Sequence, residues 1–158
     1  MEYSQIEESL DQKEREIAET ANHYASEFWN SHYSGNAERP KHERSHLGVR
    51  VRHRPNTGNL EIFWVRFSWV QSKDGKNHLR SEHLRKGVSS HGDSETKLLR
   101  YAQEWERELV LEVERNFTRL REEFASVRKA RVPLRKARKL SAEGGIGSTN
   151  KESENTDE

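Results

Sequence analysis

The chain has 158 residues, 28 Lys and Arg against 27 Asp and Glu, a formal net charge of +1 and no cysteine. That length accommodates one domain with tails. The lack of cysteine excludes disulfides and Cys-ligated zinc and fits a reducing cytoplasm, and no apolar run approaches membrane-spanning length, so no membrane partner is expected.

Leu, Ile, Val and Phe number only 30 of 158 residues, near the compositional edge of disorder, but the near-zero net charge argues for a folded chain. Met1-Glu2-Tyr3-Ser4 has no basic region followed by an apolar one, so no secretion signal is expected. Charge is sorted along the chain. Residues 1–38 carry 2 basic and 9 acidic side chains, residues 39–86 carry 12 and 4, and residues 128–140 carry 7 and none. Such segregation implies a polyanion for the basic blocks, intramolecular pairing with the acidic ones, or both.

In chain order, residues 2–33 are expected to be helical. Ile6, Leu10, Ile17, Ala21, Tyr24 and Phe28 form one stripe, and Gly35 in Ser34-Gly35-Asn36 is a natural left-handed terminator. A basic loop with Pro40 follows. Residues 47–70 then read as a β-hairpin. In its first half Val49, Val51 and His53 alternate with Arg50, Arg52 and Arg54, the period of a strand with two unlike faces. Its second half, Leu60 to Val70, is apolar on both faces and reads as a strand covered on both sides. Pro55-Asn56-Thr57-Gly58 supplies the turn. After the tight turn Lys73-Asp74-Gly75-Lys76, residues 77–85 are expected as a third, edge strand. Residues 86–93 form a loop, with Asp93 or Ser94 capping a helix over 94–131. Its stripe is Leu98, Ala102, Trp105, Leu109, Val113, Phe117, Leu120, Phe124 and Val127, with Trp105 and Leu109 near the centre of its packing, and Pro133 ends it. At about 1.5 Å per residue it exceeds what so small a domain can cover, so its far end must protrude, bend or pack on a partner. Residues 141–158, glycine-rich and then acidic, are expected to be a disordered tail.

Two constellations carry chemistry. The arginine ladder Arg50, Arg52 and Arg54, with Arg66 and Lys86 nearby in sequence, suits guanine edges and phosphates. The competing reading is a solvated strand face paired with acids of a neighbouring helix. The second basic block holds Arg128, Lys129, Arg131, Arg135, Lys136, Arg138 and Lys139. It can clamp a phosphate backbone, and is expected to project into solvent because no core can use that composition. A solvated helix end explains two or three such charges, not seven. His42, His46, His53, His78, His83 and His91 form no recognised metal motif. Glu104 and Glu108 share a helix face, yet no phosphate loop or nucleophile motif accompanies them, so neither catalytic residue nor cofactor is assigned. The four tryptophans read as core, except that Phe67 and Trp69 could meet a partner if the third strand leaves their face open.

Helix, then Gly48-Val49-Arg50-Val51-Arg52, then a turn and an apolar strand centred on Trp64, then Lys86-Gly87, then Glu104-Trp105-Glu106 leading to Phe117 and Arg121, then a basic run, resembles the MobI family of conjugative transfer proteins over residues 15–138. The resemblance implies an auxiliary factor of integrative conjugative elements and related plasmids. Such a factor recognises the origin of transfer and helps load the relaxase that nicks it. It does not identify base-contacting residues. The combined expectation is an α+β domain over residues 1–140, with both helices packed on one side of a small antiparallel sheet. It binds double-stranded origin DNA without catalysis, in the cytoplasm, with a relaxase as protein partner and the oligomeric state open, a dimer included. Two alternatives stand beside it: an adaptor docking an acidic protein without DNA contact, and a metal-dependent nuclease.

Overall fold

The computed structural model describes residues 2–54, 58–84 and 95–149. Over these, helix α1 (Tyr3–Ala37) leads to strands β1 (Leu47–Arg54), β2 (Asn59–Gln71) and β3 (Asn77–Leu84), then to helices α2 (Glu95–Tyr101) and α3 (Arg107–Thr149). The strands make one antiparallel sheet in the order β1-β2-β3. This is the α+β arrangement expected from the sequence, with the third strand at an edge.

The α1 stripe faces the sheet. Ile17, Ala18, Ala21, Ala25 and Phe28 are buried at steps of one, three and four, and small side chains let the helix lie close. The Gln5 side chain accepts the Glu2 backbone N–H and closes the N-terminus. Gly35 does not end the helix: α1 continues to Ala37 and Gly35 is buried within it. Its missing Cβ admits the Trp105 ring, which would collide with any larger side chain there. The residue thus serves a close approach between helix and indole, rather than a left-handed cap.

At the centre lies Trp64, fully buried, with Phe28 at 5.1 Å and Phe117 at 6.1 Å between ring centroids. Val49 and Leu84 pair with it from the two neighbouring strands, so the middle of the sheet packs on the helices. The expected single helix over 94–131 is broken. Gln103 is extended, at φ −69° and ψ 151°, and a 3₁₀ turn covers Glu104–Glu106 before α3 begins. The break is pinned from outside. Gln103 Nε2 donates to the Arg44 carbonyl at 3.1 Å, and the Trp105 indole donates to the Glu43 carbonyl at 2.8 Å. Trp105 and Leu109 are half-buried at this end of the packing. The centre is held by Val110, Val113, Phe117 and Leu120.

Pro133 lies inside α3 instead of ending it. The helix, about 65 Å long at 1.5 Å per residue, runs antiparallel to α1 and then past the sheet. It carries on to Thr149, into the stretch expected as a tail; residues 150–158 lie outside the described ones, as do the expected loop and cap at 86–94. Among the described residues, no helix is long and apolar enough to cross a membrane.

Candidate nucleic-acid interface

Alternation in β1 does what its period demands. Val49 is buried and Val51 and His53 half-buried toward the helices, while Arg50, Arg52 and Arg54 are exposed on the opposite side. Across from them in β2 stand Phe63, Glu61 and Asn59. No ion pair engages the three arginines among the described residues. Arg50 Nη2 reaches over β2 to Ser81 Oγ at 3.3 Å, and the Arg52 guanidinium sits 5.2 Å from the Phe63 ring centroid. The competing expectation, an arginine face neutralised by the acids of a neighbouring helix, therefore does not hold for β1.

Covering of β2 differs from expectation. Its helix-side residues Ile62 and Trp64 are buried, but on the other side no described helix packs. Val65 is buried there and Phe63 and Phe67 half-buried, yet Trp69 is 66% exposed. Trp29 of α1 wraps the β1 edge. Its indole donates to the Val49 carbonyl at 3.1 Å, and the absent Cβ of Gly48 lets Trp29 and Phe67 meet over the strand. The face is thus closed at that corner and open beyond it. Both faces of β2 read as apolar because helices cover one and aromatics occupy the other.

Arg66 does not join the ladder. It pairs with Leu47 in register, on the helix side of the sheet, binds Glu82 at 3.1 Å and lies 4.8 Å from the Tyr101 ring centroid. A strand alternates, so proximity in sequence puts half of all neighbours on the wrong face. Lys86 lies outside the described residues.

The second basic block is helical and does not project freely. Arg131 binds Asp11 at 2.5 Å and Glu14 at 3.0 Å, Arg138 binds Glu7 at 2.7 Å, and Arg128 lies 3.6 Å from Glu14 and against Gly58 of the hairpin turn. These carboxylates hold the Arg131 guanidinium above its ordinary pKa, Glu14 foremost through its hydrogen bond. Glu7, Asp11 and Glu14 recur at helical spacing on α1, so an acidic stripe meets a basic one along antiparallel helices. Lys129, Arg135, Lys136 and Lys139 are exposed, and no ion pair among the described residues engages them. The block therefore splits into a structural half and an outward half. It begins where Arg128 touches the hairpin turn, the end of the sheet at which Arg54 stands.

Three buried polar side chains of this region, Glu114, Arg121 and Glu106, were not assigned a buried role from the sequence. Glu114 is 2% exposed; it accepts the Trp64 indole N–H at 3.1 Å and binds Arg121 Nη1 at 2.6 Å. Arg121 in turn donates to the Ile62 carbonyl through Nε and Nη2. Their positions next to Val113 and Leu120 on the apolar stripe were the available signal. Glu106, also buried, accepts the Ser45 hydroxyl at 2.8 Å, and burial pushes its carboxyl up to about 7. Among the described residues no three His, Cys, Asp or Glu side chains converge as a metal site.

Fold and site together define an α+β protein with helices on one side of a three-stranded sheet and an arginine-bearing open face on the other. A model of the MobI protein family matches residues 17–135, and the chain belongs to that family, which ties it to conjugative mobilization. No curated protein and no solved structure matches the chain.

Proposed function

We propose that this chain binds duplex DNA at the origin of transfer, as a non-catalytic cytoplasmic component of the relaxosome that helps load the relaxase. The observation that carries the reading is the exposed ladder Arg50, Arg52 and Arg54, free of ion pairs among the described residues on a face whose one described acid is Glu61. Retaining three unneutralised cations side by side costs self-repulsion, which a polyanion relieves. Arginine answers guanine O6 and N7 with paired donors, and β-structure can enter the major groove. The groove admits a two-stranded ribbon, and β1 with β2 forms one whose outward face carries the ladder. Lys129, Arg135, Lys136 and Lys139 extend the cationic surface beyond the hairpin end and suit phosphates, which position a protein without reading sequence.

The test is an electrophoretic shift with the purified chain alone, on an origin-bearing duplex and on a random duplex of equal length, over a range of salt. The expected result is a salt-sensitive shift that favours the origin. No shift at low salt would remove the DNA reading and leave the adaptor, in which the same face docks an acidic protein.

A further inference from the structure

The open sheet face has two chemically different halves. From β1 it receives only cations, Arg50, Arg52 and Arg54. From β2 and β3 it receives the rings and apolar shelf of Phe63, Phe67, Trp69 and Leu79, beside the polar Ser81 and His83 and with Glu61 opposite Arg52. Trp69 is 66% and Leu79 54% exposed, and they stand opposite each other in the register. A duplex satisfies the first half but not the second, because its base faces are used up within the stack and offer an indole nothing to lie on. Unpaired bases have free faces, and aromatic platforms flanked by cations are how proteins hold single strands. The two halves also meet: Arg50 spans β2 to reach Ser81, and Arg52 lies over Phe63, so guanidinium groups and rings share one surface. Charge complementarity selects a polyanion, and the exposed rings select one with unstacked bases.

We infer that this face holds a segment of single-stranded DNA, with its phosphates along the β1 arginines and its bases over Phe63, Phe67 and Trp69. The inference rests on the proposed DNA-binding function and adds strandedness to it: the chain would engage the strand that becomes unpaired when the origin is opened.

The probes are an end-labelled dT oligonucleotide of about 20 nucleotides, longer than the roughly 4–16 covered by one single-strand-binding OB fold, and a duplex of the same length. The full chain should bind the oligonucleotide with quenching of its indole fluorescence. Trp69→Ala should weaken that binding by roughly 5- to 150-fold, the range of one stacked base, and weaken duplex binding far less. Trp69→Phe, which keeps a ring, should restore most of the affinity while losing part of the quench. Trp69 is exposed, so neither variant threatens the fold, and unchanged melting temperatures would verify that. A Trp69→Ala chain that keeps its dT affinity, or loses dT and duplex affinity alike, overturns the inference and leaves the duplex reading in place. So does a wild-type chain that binds duplex but not dT. A wild-type chain that binds neither DNA overturns both readings and points to a protein partner.

Discussion

Glu106, at the end of the 3₁₀ turn, and Glu114, two turns into α3, are both buried, and their environments separate their roles. Glu114 has Arg121 at 2.6 Å and the Trp64 indole at 3.1 Å. Glu106 has the Ser45 hydroxyl, while its Oε2 has no hydrogen-bond partner among the described residues. Burial therefore raises the Glu106 carboxyl from 4.5 to about 7, opposed by hydrogen bonds from Ser45 and the Gln103 backbone and by the Arg39 charge. A raised carboxyl pKa means that the folded chain holds a proton the unfolded chain has already released. Its contribution is complete below about pH 4.5, falls as pH rises toward 7, and is lost above that. Glu106→Gln should leave stability nearly unchanged at pH 4.5 and raise it by about 1–3 kcal/mol at pH 8, read as the difference between variant and wild-type unfolding curves. Nearby His32 has its pKa lowered by burial and then by His46, which costs stability on the acid side, but that contribution cancels in the difference. Arg121 behaves otherwise. Arg121→Ala removes the guanidinium that faces the buried Glu114 carboxylate at 2.6 Å and donates to the Ile62 carbonyl, so a loss of about 3–5 kcal/mol is expected by denaturant unfolding. Sequence periodicity places Glu114 beside Val113 on the buried side of the helix, but does not say that Arg121 and the Trp64 indole meet it there.

At the scale of elements, the sheet and α3 each carry two kinds of cation that composition alone does not distinguish. In the sheet the alternation sorts them, with Arg50, Arg52 and Arg54 on the open face and Arg66 on the helix side. Arg50→Ala with Arg52→Ala should weaken duplex binding by about 1–3 kcal/mol per specific contact with little change in melting temperature, since both side chains are exposed. Unchanged affinity in the folded double variant would remove β1 as the binding surface. In α3 it is α1 that sorts them, by holding Arg131 and Arg138 on its acidic stripe and leaving Arg135, Lys136 and Lys139 outward. Replacing those three by Gln should make the slope of log affinity against log salt shallower by about 1–3, at roughly 0.9 per phosphate. The preference for one duplex over another should survive. Equal slopes would assign these side chains to a protein partner. The same pairing accounts for Pro133: a proline inside a helix costs about 3 kcal/mol, and ion pairs to α1 on either side of it, at Arg131 and Arg138, hold the helix in place across the gap.

For the whole molecule, the charge blocks of the sequence become an architecture. The acidic first half of α1 and the basic second half of α3 lie side by side, beyond the part of α1 that packs on the sheet. Each side supplies what the other lacks, so removing one should release its partner. Deleting residues 128–158 should lower the melting temperature and reduce helix content by more than the deleted residues account for, measured by circular dichroism, because the start of α1 loses its counter-charges. Deleting residues 142–158 alone should change neither, as Ala142 to Gly144 are exposed and offer little apolar burial. A fall of several degrees on the shorter deletion would show that the C-terminal stretch docks.

What the sequence determined by itself follows from local periods. Alternation in residues 49–54 set the arginines apart from the valines, the three-and-four spacing of Ile17, Ala21 and Phe28 defined the buried side of α1, and Asp74-Gly75 marked a turn, where Gly75 indeed has φ 82°. Each rests on a residue and its near neighbours along the chain. Tertiary structure decided what depends on partners distant in sequence. Gly35 continues a helix because Trp105 needs its space, and α2 and α3 part because Arg44 and Glu43 hold Gln103 and Trp105. Arg66 faces the helices because register with Leu47 puts it there, and Trp69 stays exposed because no described element covers that face. The basic run folds back on α1 for the same reason: seven cations within residues 128–139 announce a polyanion, but only the antiparallel placement of two helices shows that part of that polyanion is the protein's own acidic stripe.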